Sequence, residues 1–156
     1  MLKFMLVDKE EAIRKGLAHG IRWENLGCTV AAQAEDGEDA LARIPQALPD
    51  IVISDIRMPG MDGLTLAEEL HRRWPHIKTI ILTGFPDFSY AQKAIAYQVV
   101  DFVLKPTSVE QLTAAIEKAR VRIQEERNQR KLRSELASRS EENLSLQQDM
   151  FIRDLI

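Results

Sequence analysis

The chain has 156 residues and a mass of 17.8 kDa, room for one globular domain and an extension but not for two full domains. Hydrophobic residues make up 45% and charged residues 29%, which is ordinary for soluble globular proteins and excludes wholesale disorder. With 21 Lys+Arg against 24 Asp+Glu the net charge is -3, so the chain lacks the basic footprint of a domain that holds nucleic acid electrostatically. A single cysteine, Cys28, excludes an intrachain disulfide and a cysteine-rich metal site. The apolar runs are too short for a membrane span or a signal peptide, and a reducing, cytoplasmic setting is expected.

Residues 1–107 contain all seven glycines and all six prolines. Leu2–Val7 is a short apolar run, followed by an amphipathic stretch from Glu11 to Ile21. Thr29–Ala34 is a second run, closed by the turn signal Asp36-Gly37 and followed by a short helical stretch, Glu38–Ile44. Ile51–Ile53 is a third, then a loop at Pro59-Gly60 and a helix over Leu64–Arg73. Thr79–Leu82 and a helix over Phe88–Tyr97 come next, then Val99-Val100 and Phe102–Leu104 as a fifth run. Runs rich in Val and Ile, without polar alternation, suit strands buried on both faces of a parallel sheet. Five strand-then-helix units predict a doubly wound α/β domain with a five-stranded parallel sheet.

From Ser108 to Ile156 there is no glycine or proline, and nine basic residues balance nine acidic ones. Ser108 with Gln111 three residues on matches a capping box at the start of a long helix. Leu112, Ile116, Ala119 and Ile123 form one apolar stripe, which gives way to Glu126 and Arg130. The division expected is therefore a core over 1–107 and a helical extension over 108–156, one helix or two, which is a candidate dimerising coiled coil.

In a doubly wound sheet, chemistry collects at the carboxyl ends of the strands. Those ends carry Asp8, Asp55, Thr83 and Lys105: two acids, a hydroxyl and an amine. The set suits phosphoryl transfer, in which a carboxylate accepts the group and the rest is positioning and charge neutralisation. No phosphate-binding glycine loop, dinucleotide fingerprint or zinc-protease motif is present. His19, His71 and His76 are scattered and read as surface residues, and Cys28 reads as a small buried hydrophobe.

The chain resembles the receiver domain of bacterial two-component response regulators, specifically the subgroup with an AraC-type helix-turn-helix output. The resemblance rests on Leu6-Val7-Asp8, Trp23–Gly27, Ser54-Asp55-Ile56-Arg57-Met58-Pro59-Gly60-Met61-Asp62-Gly63, Leu82–Phe85, Phe88–Gln92 and Leu104-Lys105-Pro106, and spans residues 2–107. It implies a flavodoxin-like fold and Asp55 as acceptor of a phosphoryl group from a sensor histidine kinase. It implies Mg²⁺ held by Asp8, Asp55 and the backbone carbonyl of Arg57, and Lys105 and the switch residue Thr83 bonding the phosphoryl oxygens. Phe102 falls at the switch aromatic, and Lys105-Pro106 at a cis bond. The family's activity is self-phosphotransfer and self-dephosphorylation, not enzymatic turnover. A multi-turnover phosphatase on this fold would carry a second acid two residues after the nucleophile, where Arg57 stands.

One position departs. The family has two adjacent acids after the first strand, and here the run is Asp8-Lys9-Glu10. The site loses an anion and gains a cation beside the metal position, where unit charges about 4 Å apart interact by roughly 4 kcal/mol at an effective dielectric near 20. Lys9 either turns to solvent, with Asp8 and Glu10 still holding metal weakly, or pairs with Asp55 and makes a phosphorylation-independent dimerisation and interaction module. A register displaced by one residue is the third reading. No output helices follow, so DNA contact would come only through a domain beyond this chain. The apolar end, Met150 to Ile156, fits a piece of a longer protein whose linker helices pair in a homodimer.

Overall fold

A computed structural model describes residues 1–84, 87–105 and 108–155, the side chains of 88 and 140–155 excepted. Five parallel strands, β1 (Leu2–Val7), β2 (Cys28–Ala34), β3 (Ile51–Ser54), β4 (Lys78–Thr83) and β5 (Asp101–Leu104), lie in the order β2-β1-β3-β4-β5. The helices between them are α1 (Glu11–Gly20), α2 (Gly37–Ala47), α3 (Gly63–Arg73) and α4 (Phe88–Ala96), and α5 (Val109–Leu155) follows β5. This is the doubly wound, flavodoxin-like sheet that the five apolar runs predict.

The central strands β1, β3 and β4 lack polar alternation because both faces are covered. Met5, Val7 and Val52 join Ala40 and Ile44 of α2 and Leu66 and Leu70 of α3 in one core cluster. The residues between them, Phe4, Leu6, Ile51 and Ile53, are buried too, and Phe4 lies 4.7 Å from the Trp23 ring, centroid to centroid. Registers Phe4↔Ile51, Leu6↔Ile53 and Ile53↔Ile80 keep like-facing residues side by side across the central strands.

Most boundaries fall within a residue or two of the expectation, and two departures have clear causes. Helix α2 runs on past Ile44 to Ala47 with Pro45 inside it, and closes on Leu48 at φ 46°, whose N–H bonds the Ile44 carbonyl at 2.8 Å. Proline lowers helix propensity, but Ala40 and Ile44 are fully buried and packing of that face decides. Val99-Val100 is not strand: the Val99 N–H closes α4 on Ala94 O at 2.9 Å, and β5 starts at Asp101. A 3-10 turn over Trp23–Leu26, with Gly27 left-handed at φ 70°, feeds β2.

Helix caps follow the sequence signals. Asp36 and Asp62 accept from the N–H groups of Asp39 and Thr65 at 2.7 and 2.8 Å, and the Ser108 hydroxyl accepts from Gln111 N–H at 3.1 Å. Met1–Arg120 forms one compact unit, so it includes the first turns of α5, where Leu112, Ile116 and Ala119 are buried. The second unit, Val121–Ile156, is helical through Leu155, and its Leu132 and Leu136 are exposed. The α5 backbone is one helix of 47 residues, not two. The side chains of the apolar end from Met150, and the Lys105-Pro106 peptide, lie outside what the structure describes.

Candidate functional site

The sheet order reverses at β1: β2 lies on one side and β3 on the other. At such a switch point the connections leave in opposite directions and open a crevice beyond the strand ends. Asp8 directly follows β1 and Asp55 directly follows β3, so the two acids stand on the two walls of that crevice.

Backbone hydrogen bonds carry the sheet's register one residue past each strand. Asp8 N–H bonds Ala34 O at 3.1 Å, Asp55 N–H bonds Val7 O at 3.0 Å, and Lys105 N–H bonds Thr83 O at 2.7 Å. The side chains thereby start from fixed origins, and they converge. The Lys105 ammonium donates to Asp8 Oδ2 at 2.9 Å and lies 3.4 Å from Asp55 Oδ2. The other carboxylate oxygens are taken by backbone: Glu10 N–H donates to Asp8 Oδ1 at 2.9 Å, and Ile56 N–H to Asp55 Oδ1 at 2.7 Å. Asp8 is 3% exposed and Asp55 8%, so each keeps only a narrow opening to solvent. Burial of the Lys105 ammonium pulls its pKa down, but the Asp8 hydrogen bond and the Asp55 charge outweigh that and leave it above the ordinary lysine value.

Thr83 is fully buried at the end of β4, one residue beyond the level of Asp55, since Ser54 pairs with Ile81. Arg57 is exposed in the loop after β3. Phe102 on β5 is half-buried against the cluster of Ile56, Leu64, Ile81 and Ala94, which links it to the segment that follows Asp55. All four strand-end groups thus gather at one end of the sheet.

Lys9 is exposed, and the ammonium that reaches Asp55 is that of Lys105. This corrects the Lys9–Asp55 pair entertained from the sequence: Asp8 points into the crevice, and the next residue of the turn faces out. His19, His71 and His76 are exposed and Cys28 is fully buried, as expected.

Three contributors escaped the sequence reading. Gly63 packs so tightly that an added Cβ would lie 1.9 Å from the Asp55 carbonyl oxygen, and its N–H bonds Ile56 O at 2.8 Å. The Ser54 hydroxyl, fully buried, donates to that same Asp55 oxygen at 2.7 Å. The Arg14 guanidinium donates to the Asp8 carbonyl. The glycine after Asp62 was a visible signal; the other two were not, because their partners are backbone.

Comparison with known proteins decides the family. Residues 4–117 match the response regulator receiver domain. The chain belongs to that family. It is 33% identical over 156 residues to the uncharacterized transcriptional regulatory protein YesN of Bacillus subtilis, covering all of this chain and 42% of that protein. It is 34% identical over 127 residues to the transcriptional regulator NtrC of Salmonella typhimurium, covering 81% of this chain and 26% of that one. The chain thus spans less than half the length of these curated relatives. Among solved structures, the receiver domain of AraT, a response regulator from Geobacillus stearothermophilus, superimposes with a TM-score of 0.74 at 38% identity, over 81% of this chain and 98% of that one. Receiver domains are signalling modules of two-component transcription regulation that act with sensor histidine kinases.

Among the described residues no group of three or more His, Cys, Asp or Glu side chains gathers. Asp8 and Asp55 remain, both buried and both charge-compensated by one lysine. Mg²⁺ is commonly held by one or two carboxylates, with waters and phosphate oxygens completing its shell. The residues fit a two-carboxylate site. Among the described residues no helix is long and apolar enough to cross a membrane.

Proposed function

We propose that this receiver accepts a phosphoryl group on Asp55 from a sensor histidine kinase and relays its state through residues 108–156 to a transcriptional output domain in a longer, cytoplasmic protein. The observation that carries the proposal is the convergence of Asp8, Asp55 and Lys105 at the switch point, with Lys105 within 2.9 and 3.4 Å of the two carboxylates. One Asp55 carboxylate oxygen forms a bond to the phosphorus of the kinase phosphohistidine. The P–N bond breaks, and its electron pair stays on the imidazole nitrogen.

Asp8, Asp55 and the backbone carbonyl of Arg57 would hold Mg²⁺, which when bound neutralises charge on the phosphoryl oxygens. The remaining work falls to the chain. Lys105, already at the acceptor, turns from carboxylate to phosphoryl oxygen without crossing solvent. Thr83 donates its hydroxyl to a second oxygen, and the shift is read by Phe102 across the Ile56–Ile81 cluster. Exposed Leu132 and Leu136 of α5, with the apolar residues beyond them in the sequence, supply a seam for pairing two copies.

The test is intact mass after incubation with a small acyl phosphate and Mg²⁺, beside Asp55→Ala. One phosphoryl adduct, lost in the variant, is expected. An adduct that survives Asp55→Ala, or none with the kinase partner and Mg²⁺ present, overturns the assignment. Sedimentation as a monomer at high concentration overturns the pairing of α5.

A further inference from the structure

The charges around the acceptor do not sum as the family's do. Two buried carboxylates, Asp8 and Asp55, face one ammonium, Lys105, at 2.9 and 3.4 Å. Lys9, next in the chain to Asp8, adds a second cation, exposed to solvent. With the Arg14 guanidinium on the Asp8 carbonyl and the exposed Glu10 carboxylate beside Lys9 counted as well, the charges around the resting site sum to zero, where an acid at position 9 would leave them two units more negative. The Lys105 ammonium also occupies the very oxygens, Asp8 Oδ2 and Asp55 Oδ2, that a cation would use. The opposite oxygens are spent on Glu10 N–H and Ile56 N–H.

A dication approaching this site meets no net attraction and must displace an ammonium. An arriving phosphoryl group reverses both conditions. It brings negative charge, and it offers Lys105 a new acceptor, so that the carboxylates are freed as the metal's remaining ligands are supplied. Two ligands that each remove the other's obstacle bind with positive coupling, and the coupling is reciprocal.

We infer that Lys9 is a specificity device of the phosphorylation site: it keeps Mg²⁺ out of the resting receiver and makes metal occupancy conditional on a phosphoryl group. The inference rests on Asp55 being the acceptor and goes beyond it, since the same machinery with an acid at position 9 would hold Mg²⁺ in advance. Lys9 acts through its charge alone, since the ammonium on Asp8 and Asp55 is that of Lys105.

The experiment titrates Mg²⁺ without phosphodonor, following the Ile56 amide by NMR, in the parent chain, Lys9→Met and Lys9→Asp. Because Lys9 is exposed, both variants should unfold at the parent's midpoint, which the same samples verify. A unit charge a side chain's length from a dication changes its affinity by about tenfold in a water-like dielectric. Lys9→Met should therefore tighten Mg²⁺ about tenfold, and Lys9→Asp about a hundredfold or more. Raising ionic strength should shrink the gap between parent and Lys9→Met. Adding beryllium fluoride, a phosphoryl mimic, should tighten Mg²⁺ at least tenfold more in the parent than in Lys9→Asp. Three affinities within twofold of one another, or equal enhancement by beryllium fluoride, overturn the inference and leave Asp55 standing as acceptor. Affinities that respond to Lys9 while Asp55 takes no adduct overturn the acceptor assignment instead.

Discussion

Gly63→Ala places a methyl carbon where there is no room. Its Cβ would lie 1.9 Å from the Asp55 carbonyl oxygen, 2.8 Å from that carbonyl carbon and 3.0 Å from Ile56 Cα. Ordinary Cβ contacts begin at 3.4 Å, so more than an ångström must open between the start of α3 and the end of β3. The obstructing atoms are backbone, and that backbone is pinned by the Ser54 hydroxyl at 2.7 Å and by Asp55 N–H on Val7 O at 3.0 Å. Overpacking a core typically costs about 1–3 kcal/mol, and a clash against fixed backbone belongs at or above the top of that range. With a urea slope of roughly 1–3 kcal/mol per molar, a loss of 3 kcal/mol lowers the midpoint by about 1–3 M. The control is in the same chain: Gly16 in α1 has nothing within 4 Å of its Cβ position, and Gly16→Ala should stabilise by about 0.5–1 kcal/mol. Since the displaced atoms carry Asp55, Gly63→Ala should also slow adduct formation beyond what lost stability explains. A midpoint within 0.3 M of the parent, with unchanged phosphorylation, would refute the reasoning.

Lys105→Met should cost about 1–3 kcal/mol at pH 7, because two buried carboxylates lose their counter-charge. The folded pKa of Lys105 is raised, so its stabilisation is fully present below the unfolded lysine value near 10.4 and fades as pH climbs through the higher folded value. The stability gap between parent and variant, from urea unfolding, should accordingly hold from pH 7 to 10 and narrow above that; a gap that widens there contradicts the pairing. Cys28 has no exposed surface and burial holds its thiol above the ordinary value, against the opposing charge of Arg120. A thiol reagent at pH 8 should modify it only as fast as the fold opens, with a rate that tracks denaturant; prompt labelling of folded protein would count against that burial. Asp62→Ala removes the acceptor of Thr65 N–H at 2.8 Å and should cost about 1 kcal/mol, while Asp62→Asn should restore most of it in the same unfolding assay.

The order of strands and helices was legible in the sequence because each core strand is buried on both faces and so reads as an unbroken apolar run. The four strand-end groups were legible for a related reason. A polar residue directly after such a run sits at the sheet's carboxyl edge whatever the tertiary detail. Local signals were outweighed where burial was stronger, as at Pro45, whose helix continues because Ala40 and Ile44 are anchored in the core. Val99 and Val100 show the converse: an apolar pair that reads as strand is divided, the Val99 N–H closing α4 on Ala94 O and the Val100 N–H bonding Thr79 O of β4 just ahead of β5.

What tertiary structure alone decided is direction and distance. Asp8 and Lys9 are neighbours in sequence, yet one points into the crevice beside Lys105 and the other into solvent. No property of the two side chains by themselves fixes which, because it depends on where the β1–α1 turn leaves the sheet. The convergence of Lys105 on carboxylates 97 and 50 residues away arises from strand order. The sequence by itself determined which chemical groups reach that end of the sheet. The winding of the sheet about β1 determined that they meet, because only there do the two acids face each other across a crevice rather than along an edge.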